Sequence, residues 1–579
     1  MCVRMSRKSL AFSAFVVFLF TATSFAAQTT HTKVAPQHAQ FTSAAAWDVS
    51  QPLSLAPMAM KRFAVAGPAP EFEIRDEQDA PAKGVGAFSD DGAEQRNRPP
   101  ATIPAPSVTF EGFSNEDNFN VFGFRVNPPD PVGAVGPKHY VEMVNLTFGV
   151  FDKKGNRLLG PVDIGALWQG FSVPDCTDAS GDPIVLYDKR SDRWLLSQFT
   201  TRGLSNPTLP YYNCVAISTT GDPTGSYYRY AFTSGFAFPD YPKYGVWKNS
   251  YVLTSRDFGS TYGISVYALE KRKMIAGDPT ARSVHYFIDS AVVPINLIGD
   301  GLLPADIDGR QMPEDDAAIP LVGTQDDNAG YGAPFDALNI WDLSIQWEDT
   351  PVSSLVFRGS YPVAAFNSNF PCGVVPGSLP PSARDCLPEP GITDGSRYLD
   401  VLSYRQRPTW RLAYRVFDDY ESLVTNQTVE ALPGIAGLRW YEIRRKGNQY
   451  SVFQQGTFAP ADGIDRWMGS VAMDKRGNIA LGYSVVNGVD VFPGIRYTGR
   501  LKRDAPGQMT LGESTLINGT GAQVTVNSRW GDYTSLNLDP TDDCTFWYVN
   551  EYYQVTGIIG VNTAPWQTRI GSFKLPGCK

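Results

Sequence analysis

From about Val108 to its end, the chain alternates short apolar runs with clusters of Gly, Pro, Asn and Asp. Runs such as Tyr211 to Ser218 and Tyr227 to Phe232 are rich in aromatic and β-branched residues and have the length of single strands. Outside the extreme N-terminus, no long stretch repeats its apolar positions every 3.6 residues, so long helices are not expected. The pattern predicts an all-β fold.

One short phrase recurs between these runs. It consists of an apolar or aromatic residue, Asp, two variable residues, a small or acidic residue, and then Asn or Asp. The copies begin at Asp152, Asp188, Asp474 and Asp539. Asp and Asn side chains bond to the nearby backbone, and Gly adopts left-handed conformations, as tight reversals require. We therefore predict a β-hairpin at each copy and assign these four aspartates to turn structure rather than to chemistry.

A second series of aspartates is spaced more widely and is accompanied by Pro, Tyr or Trp. Most steps in the series are roughly the length of one four-stranded unit with its loops. A longer step, from Asp306 to Asp400, contains a Pro-rich stretch and is interpreted as an insertion. The series comprises Asp130, Asp182, Asp240, Asp306, Asp400, Asp465 and Asp532.

Repeated four-stranded units are typical of a β-propeller, in which radial repetition leaves only short, protected edges. We predict a single propeller over residues 106–579 with seven blades. Six or eight blades, or a two-sheet sandwich with extra domains, are the alternatives. Residues 28–105 are rich in Ala, Pro, Gln and Ser and are expected to form a poorly ordered linker or pro-segment.

The N-terminus has the order of a cleavable secretory signal. Basic residues precede an apolar core from Leu10 to Phe20, and a small-x-small motif ends at Ala26. The apolar core is shorter than the roughly 20 residues that span a bilayer. We predict that residues 1–27 are a signal peptide and that the protein is secreted or periplasmic, not membrane-embedded.

Six cysteines follow this segment, an even number that predicts disulfides in an exported chain. Sequential pairing is the simplest of the fifteen possible arrangements. It would join Cys176 to Cys214, Cys372 to Cys386, and Cys544 to Cys578.

Charge and composition exclude several classes of function. The formal net charge is −9 and no basic run occurs beyond the N-terminus, so nucleic acid is not an expected partner. No Gly-rich phosphate loop stands between a strand and a helix. Aromatic residues make up 12% of the chain and charged residues only 19%, which fits a rigid, turn-rich β protein.

The innermost strands of a propeller begin around one axis, so the widely spaced aspartates are expected to meet at one mouth. Converging carboxylates raise one another's pKa, which suits acid–base catalysis, and they could instead bind Ca²⁺. Asp182, Asp240 and Asp532 are the candidate catalytic residues. Aromatic faces stack on sugar rings, and Arg and Asp bond to hydroxyls or carboxylates. On that basis the candidate substrate-binding residues are Asp130, His139, Tyr241, Asp306, Asp400, Arg466, Trp467, Arg529 and Trp530. The structural alternative is that each acid caps a turn or braces neighbouring blades.

Several phrases resemble those of a group of exported bacterial β-propeller proteins of unassigned activity. They are residues 182–188 with 193–194, 240–247, 466–470 with 477–484, and 529–533 with 544–547. The resemblance extends over residues 125–579 and implies a propeller fold and export. The hairpin copies also resemble the Asp-box repeats of sialidase-type propellers, although they lack the Ser-x-Asp-x-Gly-x-Thr-Trp order. This second resemblance offers Arg466 and Arg529 as members of an arginine triad.

Two functional hypotheses follow. The first is an exported carbohydrate-active enzyme, a glycoside hydrolase or polysaccharide lyase, that acts on a poly- or oligosaccharide at the axial pocket. The alternative is a non-catalytic propeller that binds a cell-surface or matrix ligand, with the central acids holding Ca²⁺ or closing the ring. Apart from Ca²⁺, the sequence implies no cofactor.

Overall fold

The computed structural model describes residues 34–55, 71–73, 91–328, 330–368, 386–401, 407–525 and 529–579. The expected signal peptide and Cys372 lie outside these ranges. Within them the fold is all-β, as predicted. The helical elements there are short: the α-helices Asn115–Phe122, Arg202–Ser205 and Lys271–Ala276, and the 3₁₀ turns Leu53–Leu55, Ile164–Trp168, Pro174–Thr177, Ile295–Leu297 and Gly395–Arg397.

The described ranges contain seven four-stranded antiparallel units, called sheets I to VII here, in which strands consecutive in the unit are neighbours; IV and V are joined edge to edge into one larger sheet. From the innermost strand outward, sheet I comprises Val132–Val135, His139–Val144, Thr147–Asp152 and Arg157–Asp163; sheet II comprises Ile184–Asp188, Arg193–Phe199, Tyr211–Ser218 and Tyr227–Gly235; sheet III comprises Phe238–Val246, Ser250–Phe258, Tyr262–Glu270 and Arg282–Asp289; sheet IV comprises Leu303–Ile307, Ile319–Gln325, Ala337–Gln346 and Val352–Pro362. Sheet V comprises Thr409–Val416, Glu421–Leu432, Ile435–Lys446 and Gln449–Phe458; sheet VI comprises Asp465–Met473, Ile479–Val486, Phe492–Arg500 and Leu511–Gly519; sheet VII comprises Ser535–Leu538, Thr545–Tyr553, Trp566–Lys574 and Val108–Ser114.

The innermost strands lie side by side around one axis, each in contact with the next, and Ser535–Leu538 contacts Val132–Val135 to close the circle. Sheet VII takes its outermost strand, Val108–Ser114, from the N-terminal side of sheet I, where it pairs with Trp566–Lys574. The two ends of the ring are therefore held together by backbone hydrogen bonds. We call the end at which the innermost strands begin the upper face, and the opposite end the lower face.

The long step in the aspartate series contains an insertion, which lies between sheets IV and V and not within a single four-stranded unit as the sequence suggested. Its described part contains the short antiparallel pair Cys386–Leu387 and Leu399–Asp400. The innermost strands of the two flanking sheets nevertheless pair with each other in parallel, Ala305 lying opposite Leu412. The insertion therefore leaves the ring intact at the axis.

The prediction of a poorly ordered segment over residues 28–105 does not hold for its described parts. Gln40–Ser43 adds a fifth strand to sheet III, and Ala46–Val49 adds one to sheet II. Asp48 accepts two hydrogen bonds from the guanidinium of Arg229. Glu94–Gln95 extends sheet V in parallel, and Glu71–Glu73 pairs in parallel with Arg125–Asn127. These strands are too short to stand out from the surrounding Ala, Pro and Gln.

The hairpin phrase forms the turns that were predicted for it. Oδ1 of Asp152 accepts from the amides of Lys154 at 2.8 Å and Asn156 at 2.9 Å, and Oδ2 accepts from the Asn156 side chain at 2.7 Å. Asp474 repeats this arrangement one sheet before the last. The carboxylates of Asp188 and Asp539 also accept from amides two residues ahead.

Two of the three predicted disulfides are confirmed. Cys176 is bonded to Cys214, and Cys544 is bonded to Cys578, which ties the last hairpin to the C-terminus. The pairing of Cys372 with Cys386 stays a prediction because Cys372 lies outside the described residues. In the described ranges, no helix has the length and apolar character needed to cross a bilayer.

Candidate functional site

The backbone is strained where the innermost strands of sheets I, II and III begin or bend. Asp130, Asp182 and Tyr241 each precede a proline, and their φ values are 47°, 42° and 53°. Positive φ is uncommon for any residue other than Gly, and residues before proline normally favour an extended backbone. The register of the innermost strand of sheet III also shifts between Asp240 and Lys243. Strain and bulges of this kind concentrate at functional sites and re-aim side chains.

These positions build a buried polar group at the upper end of the axis. We call it the axial cluster and define it as Asp130, Asp182, Asp240, Tyr241, Lys243, Asp532 and Tyr533. Every member is at most 6% exposed. The cluster contains three aspartates from the beginnings of sheets I to III and one from the beginning of sheet VII. Four of the seven widely spaced aspartates thus belong to one buried group.

Lys243 lies between two aromatic rings of the cluster. Its ammonium is 2.8 Å from the ring centroid of Tyr241 and 3.7 Å from that of Tyr533. The Tyr533 hydroxyl donates to Oδ2 of Asp182 at 3.0 Å and to the carbonyl of Pro242 at 3.1 Å. Burial lowers the pKa of Lys243 well below its usual value, against the attraction of Asp182. Burial raises the pKa of Tyr533 well above its usual value, and the charge of Asp182 adds to this.

Asp130 and Asp532 form a second part of the cluster. The amide of Asp532 donates to Oδ1 of Asp130 at 2.8 Å, and the side chain of Asn145 donates to Oδ2 at 2.9 Å. Burial, followed by the nearby charge of Asp532, raises the pKa of Asp130 to about 7. Asp532 instead accepts from the Arg529 guanidinium at 2.8 Å. The two carboxyls therefore have different partners: that of Asp130 accepts from two uncharged amide groups, and that of Asp532 accepts from a guanidinium.

Charged groups around the cluster contact Asp240 and Tyr241, the remaining members. Arg256 lies 3.5 Å from the carboxylate of Asp240 and 3.6 Å from that of Asp300. The guanidinium of Arg407 lies 3.8 Å over the ring of Tyr241. Glu551 accepts from the amide of Gly531 at 2.6 Å, and burial raises its pKa well above the usual value.

Three of the predicted substrate-binding residues serve the core instead. Arg466 is fully buried and forms 2.8 Å ion pairs with Asp462, in the loop before sheet VI, and with Glu513 in that sheet. Trp467 and Trp530 pack edge to face, with ring centroids 5.0 Å apart, in the hydrophobic core. Arg466 therefore braces one sheet, while Arg529 belongs to the site. Sequence could not separate them, because both arginines precede a tryptophan.

His139, Asp306 and Asp400 also depart from the predicted arrangement. His139 begins the second strand of sheet I at the lower face, opposite Asp152, and burial lowers its pKa. Asp306 lies near the lower end of its strand, where it accepts from Arg411 at 2.8 Å and from the amide of Val246 at 3.0 Å. Asp400 is buried and bridges to Arg529 through the backbone, so its place is beside the cluster.

Arg256, Arg407 and Asn145 were missed as site residues. Arg256 had one available signal, a cation near the end of the strand Ser250–Phe258, directly after Tyr, Val and Leu residues and a Thr-Ser pair. Asn145 is fully buried and contacts both Asp130, through its side-chain amide, and the amide of Asp182, through its carbonyl oxygen. It lies in a loop of sheet I, so its role depends on a contact that the sequence does not display.

Calcium at the central aspartates stays a prediction. Among the described residues, one group of three acidic side chains is close enough together to share a cation, namely Asp326, Asp327 and Asp336 in a loop of sheet IV. Asp326 already accepts from the amides of Asn328 and Ser368, and Asp336 accepts from those of Asp327 and Phe366. Backbone donors aimed at these oxygens satisfy their charge without an ion.

No protein-family model matches this chain, and no curated protein matches its sequence. Among solved structures, the α-L-arabinanase of Penicillium chrysogenum complexed with arabinobiose has a TM-score of 0.28 and 10% identity, covering 59% of this chain and 94% of that one. The WD40 domain of SCAP from fission yeast has a TM-score of 0.32 and 8% identity, with coverages of 82% and 92%. The phage phi92 endosialidase has a TM-score of 0.29 and 8% identity, covering 84% of this chain and 69% of that one. These structural overlaps are loose.

Proposed function

We propose that this protein is an exported seven-bladed β-propeller that hydrolyses a glycosidic bond at the axial cluster. The observation that carries the proposal is the pair Asp130 and Asp532. Asp130, with a pKa of about 7, holds a proton over part of the neutral range, and Asp532 is ion-paired with Arg529. Glycosidases commonly use one protonated and one ionised carboxyl at the scissile bond. The closed ring of seven sheets supports the blade number, and two disulfides are typical of exported proteins.

In this proposal Asp130 donates a proton to the leaving oxygen, and Asp532 acts as nucleophile or base. The aromatic and cationic groups beside them, Tyr241, Lys243 and Arg529, orient the sugar. A polysaccharide lyase is the alternative enzyme at this site. A lyase needs a base that removes a carbon-bound proton, and burial lowers the pKa of Lys243 well below its usual value, so its neutral amine could act as that base.

One observation favours the alternative, a binding propeller for a cell-surface or matrix glycan. The members of the axial cluster are deeply buried, and their polar groups are engaged within the protein. Tyr533 donates to Asp182, and Arg256, which lies beside the cluster, pairs with Asp240. Such contacts also serve to lock sheets together at the axis. In the binding protein, the same aspartates would stabilise the ring and a ligand would bind without turnover.

The test is release of reducing ends from a panel of polysaccharides by the purified mature protein. Asp130→Asn and Asp532→Asn should each lower the rate by about 100-fold or more, because each removes one proton-transfer or nucleophilic group. Asp465→Asn is the matched control. Asp465 also begins an innermost strand and has a pKa raised to about 7 by burial, but it bonds to the amide of Ala436.

Full activity in Asp465→Asn together with loss in the two cluster variants would support hydrolysis. Binding of a glycan without product, unchanged by Asp532→Asn, would select the binding protein. In that case a chelator that lowers the melting temperature would support the Ca²⁺ proposal.

A further inference from the structure

The lower face carries two adjoining cavities of about 460 and 720 Å³ that share Phe417 and Lys475. The first lies near the axis, where the turns that follow the innermost strands of sheets IV to VII meet. The second runs outward along sheet VI to the C-terminal segment at Pro576 and Gly577. Together they form one continuous groove at the end of the molecule opposite the axial cluster.

Cations dominate the walls of this groove. Five of them are exposed, and in the part of the chain that the structure describes none has a carboxylate within ion-pair distance. We call these five residues the basic groove: Arg310, Lys475, Arg476, Lys502 and Arg503. They come from three separate turns, so the fold gathers charges that the sequence disperses. A chain with a net charge of −9 thus carries a locally positive surface.

The acidic residues that line the same cavities are engaged by the fold. Asp543 accepts two 2.7 Å hydrogen bonds from the guanidinium of Arg415. Asp542 pairs with Lys574 at 2.8 Å and accepts from the amide of Thr545 at 2.9 Å. Asp504 accepts from the amide of Leu501 at 2.8 Å. These acids therefore leave the five cations of the basic groove available to a ligand.

An aromatic surface accompanies the charges. Phe417 is partly exposed, lines both cavities and stacks on Tyr420 with ring centroids 5.1 Å apart. The ammonium of Lys502 lies 4.8 Å from the Phe417 ring centroid. A sugar ring that stacks on an aromatic face beside an ammonium can place an anionic substituent against that ammonium.

We propose that the basic groove binds an anionic polysaccharide through its carboxylate or sulfate groups. The disulfides are typical of compartments outside the cytosol, where acidic glycans are available polyanions. The groove lies at the lower face and uses no member of the axial cluster, so this inference goes beyond the proposed hydrolysis. It describes a second, non-catalytic site that would hold the protein on an acidic glycan.

The experiment measures binding of the mature full-length protein to polygalacturonate, dextran sulfate and neutral dextran at two salt concentrations. The groove variant combines Lys475→Gln, Arg476→Gln, Lys502→Gln and Arg503→Gln. A matched control removes the same number of exposed cations elsewhere and combines Lys138→Gln, Lys154→Gln, Arg190→Gln and Arg272→Gln. Both variants therefore change the net charge equally, and only one alters the groove.

We expect the wild type to bind at least one acidic polymer and not neutral dextran, with weaker binding at higher salt because screening weakens exposed charge pairs. The groove variant should bind roughly tenfold more weakly or worse, and the control variant should stay near wild type. The polymer that binds identifies the group, carboxylate or sulfate.

Three outcomes would overturn the proposal. The first is no binding to either acidic polymer. The second is an equal loss in the groove and control variants, which would indicate a diffuse charge effect. The third is tighter, groove-dependent binding of a single-stranded oligonucleotide or of phosphatidylglycerol vesicles, which would assign the surface to a different class of partner.

Discussion

The amide of Asp532 donates a 2.8 Å hydrogen bond to the carboxyl of Asp130, which lies 402 residues earlier in the chain. This contact crosses the junction where sheet VII meets sheet I, so the same closure that completes the ring also assembles the candidate acid–base pair. The charge of Asp532 is the second cause of the raised pKa of Asp130, after burial. The chemistry of Asp130 therefore depends on closure of the ring.

The first prediction concerns that electrostatic coupling. Asp532→Asn removes the neighbouring negative charge, so the pKa of Asp130 should fall from about 7. It should stay above its usual value because burial remains. Carboxyl titration by NMR on ¹³C-labelled aspartate would measure the shift. Asp465→Asn should leave the Asp130 titration unchanged, and an unaltered titration in Asp532→Asn would contradict the coupling.

The second prediction concerns stability and pH. Asp257 is buried, accepts 2.6 Å hydrogen bonds from Ser255 and Ser265, and has its pKa raised by burial to about 7. Between pH 4 and 7 the unfolded state loses this proton while the folded state keeps it. Stability from this group is thus fully present below about pH 4 and is lost as the pH rises through 7. Each pKa unit corresponds to about 1.4 kcal/mol, so the total is on the order of 4 kcal/mol.

Asp257→Asn should therefore flatten the fall in unfolding free energy between pH 4 and 7, as measured by urea titration. Asp152→Asn is the contrasting variant. The Asn156 side chain lowers the pKa of Asp152, so that group favours folding above its unfolded pKa and ceases to do so in acid. If both variants change the pH dependence in the same direction, the assignment of the Asp257 pKa is wrong.

The third prediction separates two arginines with the same local sequence. Arg466→Met leaves Asp462 and Glu513 without their buried partner, and should lower the unfolding free energy by about 3–5 kcal/mol. Arg529→Met removes the ion pair of Asp532 at the axial cluster and should mainly impair glycan turnover or binding. Denaturant titration and the reducing-end assay together check this division. If the Arg466→Met variant folds well but loses most of its activity, Arg466 would have a role in the functional site.

Local sequence was sufficient for the elements whose chemistry is local. The turn at Asp152 requires only residues up to Asn156, and the strand Tyr211–Ser218 follows from its own apolar pattern. The convergence of Asp130, Asp182 and Asp240 was predictable because ring closure places equivalent positions of successive sheets together. To infer this convergence, it is enough to recognise that the chain repeats one structural unit.

Other features depended on side-chain direction and on distant partners. Asp306 lies in the same kind of innermost strand that follows Asp182, but near the lower end of that strand, where Arg411 on the next sheet donates to it. The basic groove could not be predicted either, since it joins turns of different sheets. The added strand Ala46–Val49 is stabilised by an edge of sheet II, which nothing within those four residues indicates.

The fourth prediction concerns the two N-terminal strands. A mature chain that begins at residue 56 lacks Gln40–Ser43 and Ala46–Val49, which exposes the outer edges of sheets III and II. The four-stranded units remain, so this truncation should stay folded by circular dichroism but should melt at a lower temperature. It should also self-associate, because exposed strand edges pair with other chains. Light scattering would measure the association.

A chain that begins at residue 115 is the informative comparison, because it also lacks Val108–Ser114. Sheet VII then loses its outermost strand, and the pairing that joins the two ends of the ring disappears. We expect this longer truncation to lose the cooperative unfolding transition that the shorter one retains. A monomeric shorter truncation with the wild-type melting temperature would mean that the added strands contribute nothing to the edges they cover. A cooperative transition in the longer truncation would mean that contacts between the innermost strands suffice to hold the circle closed.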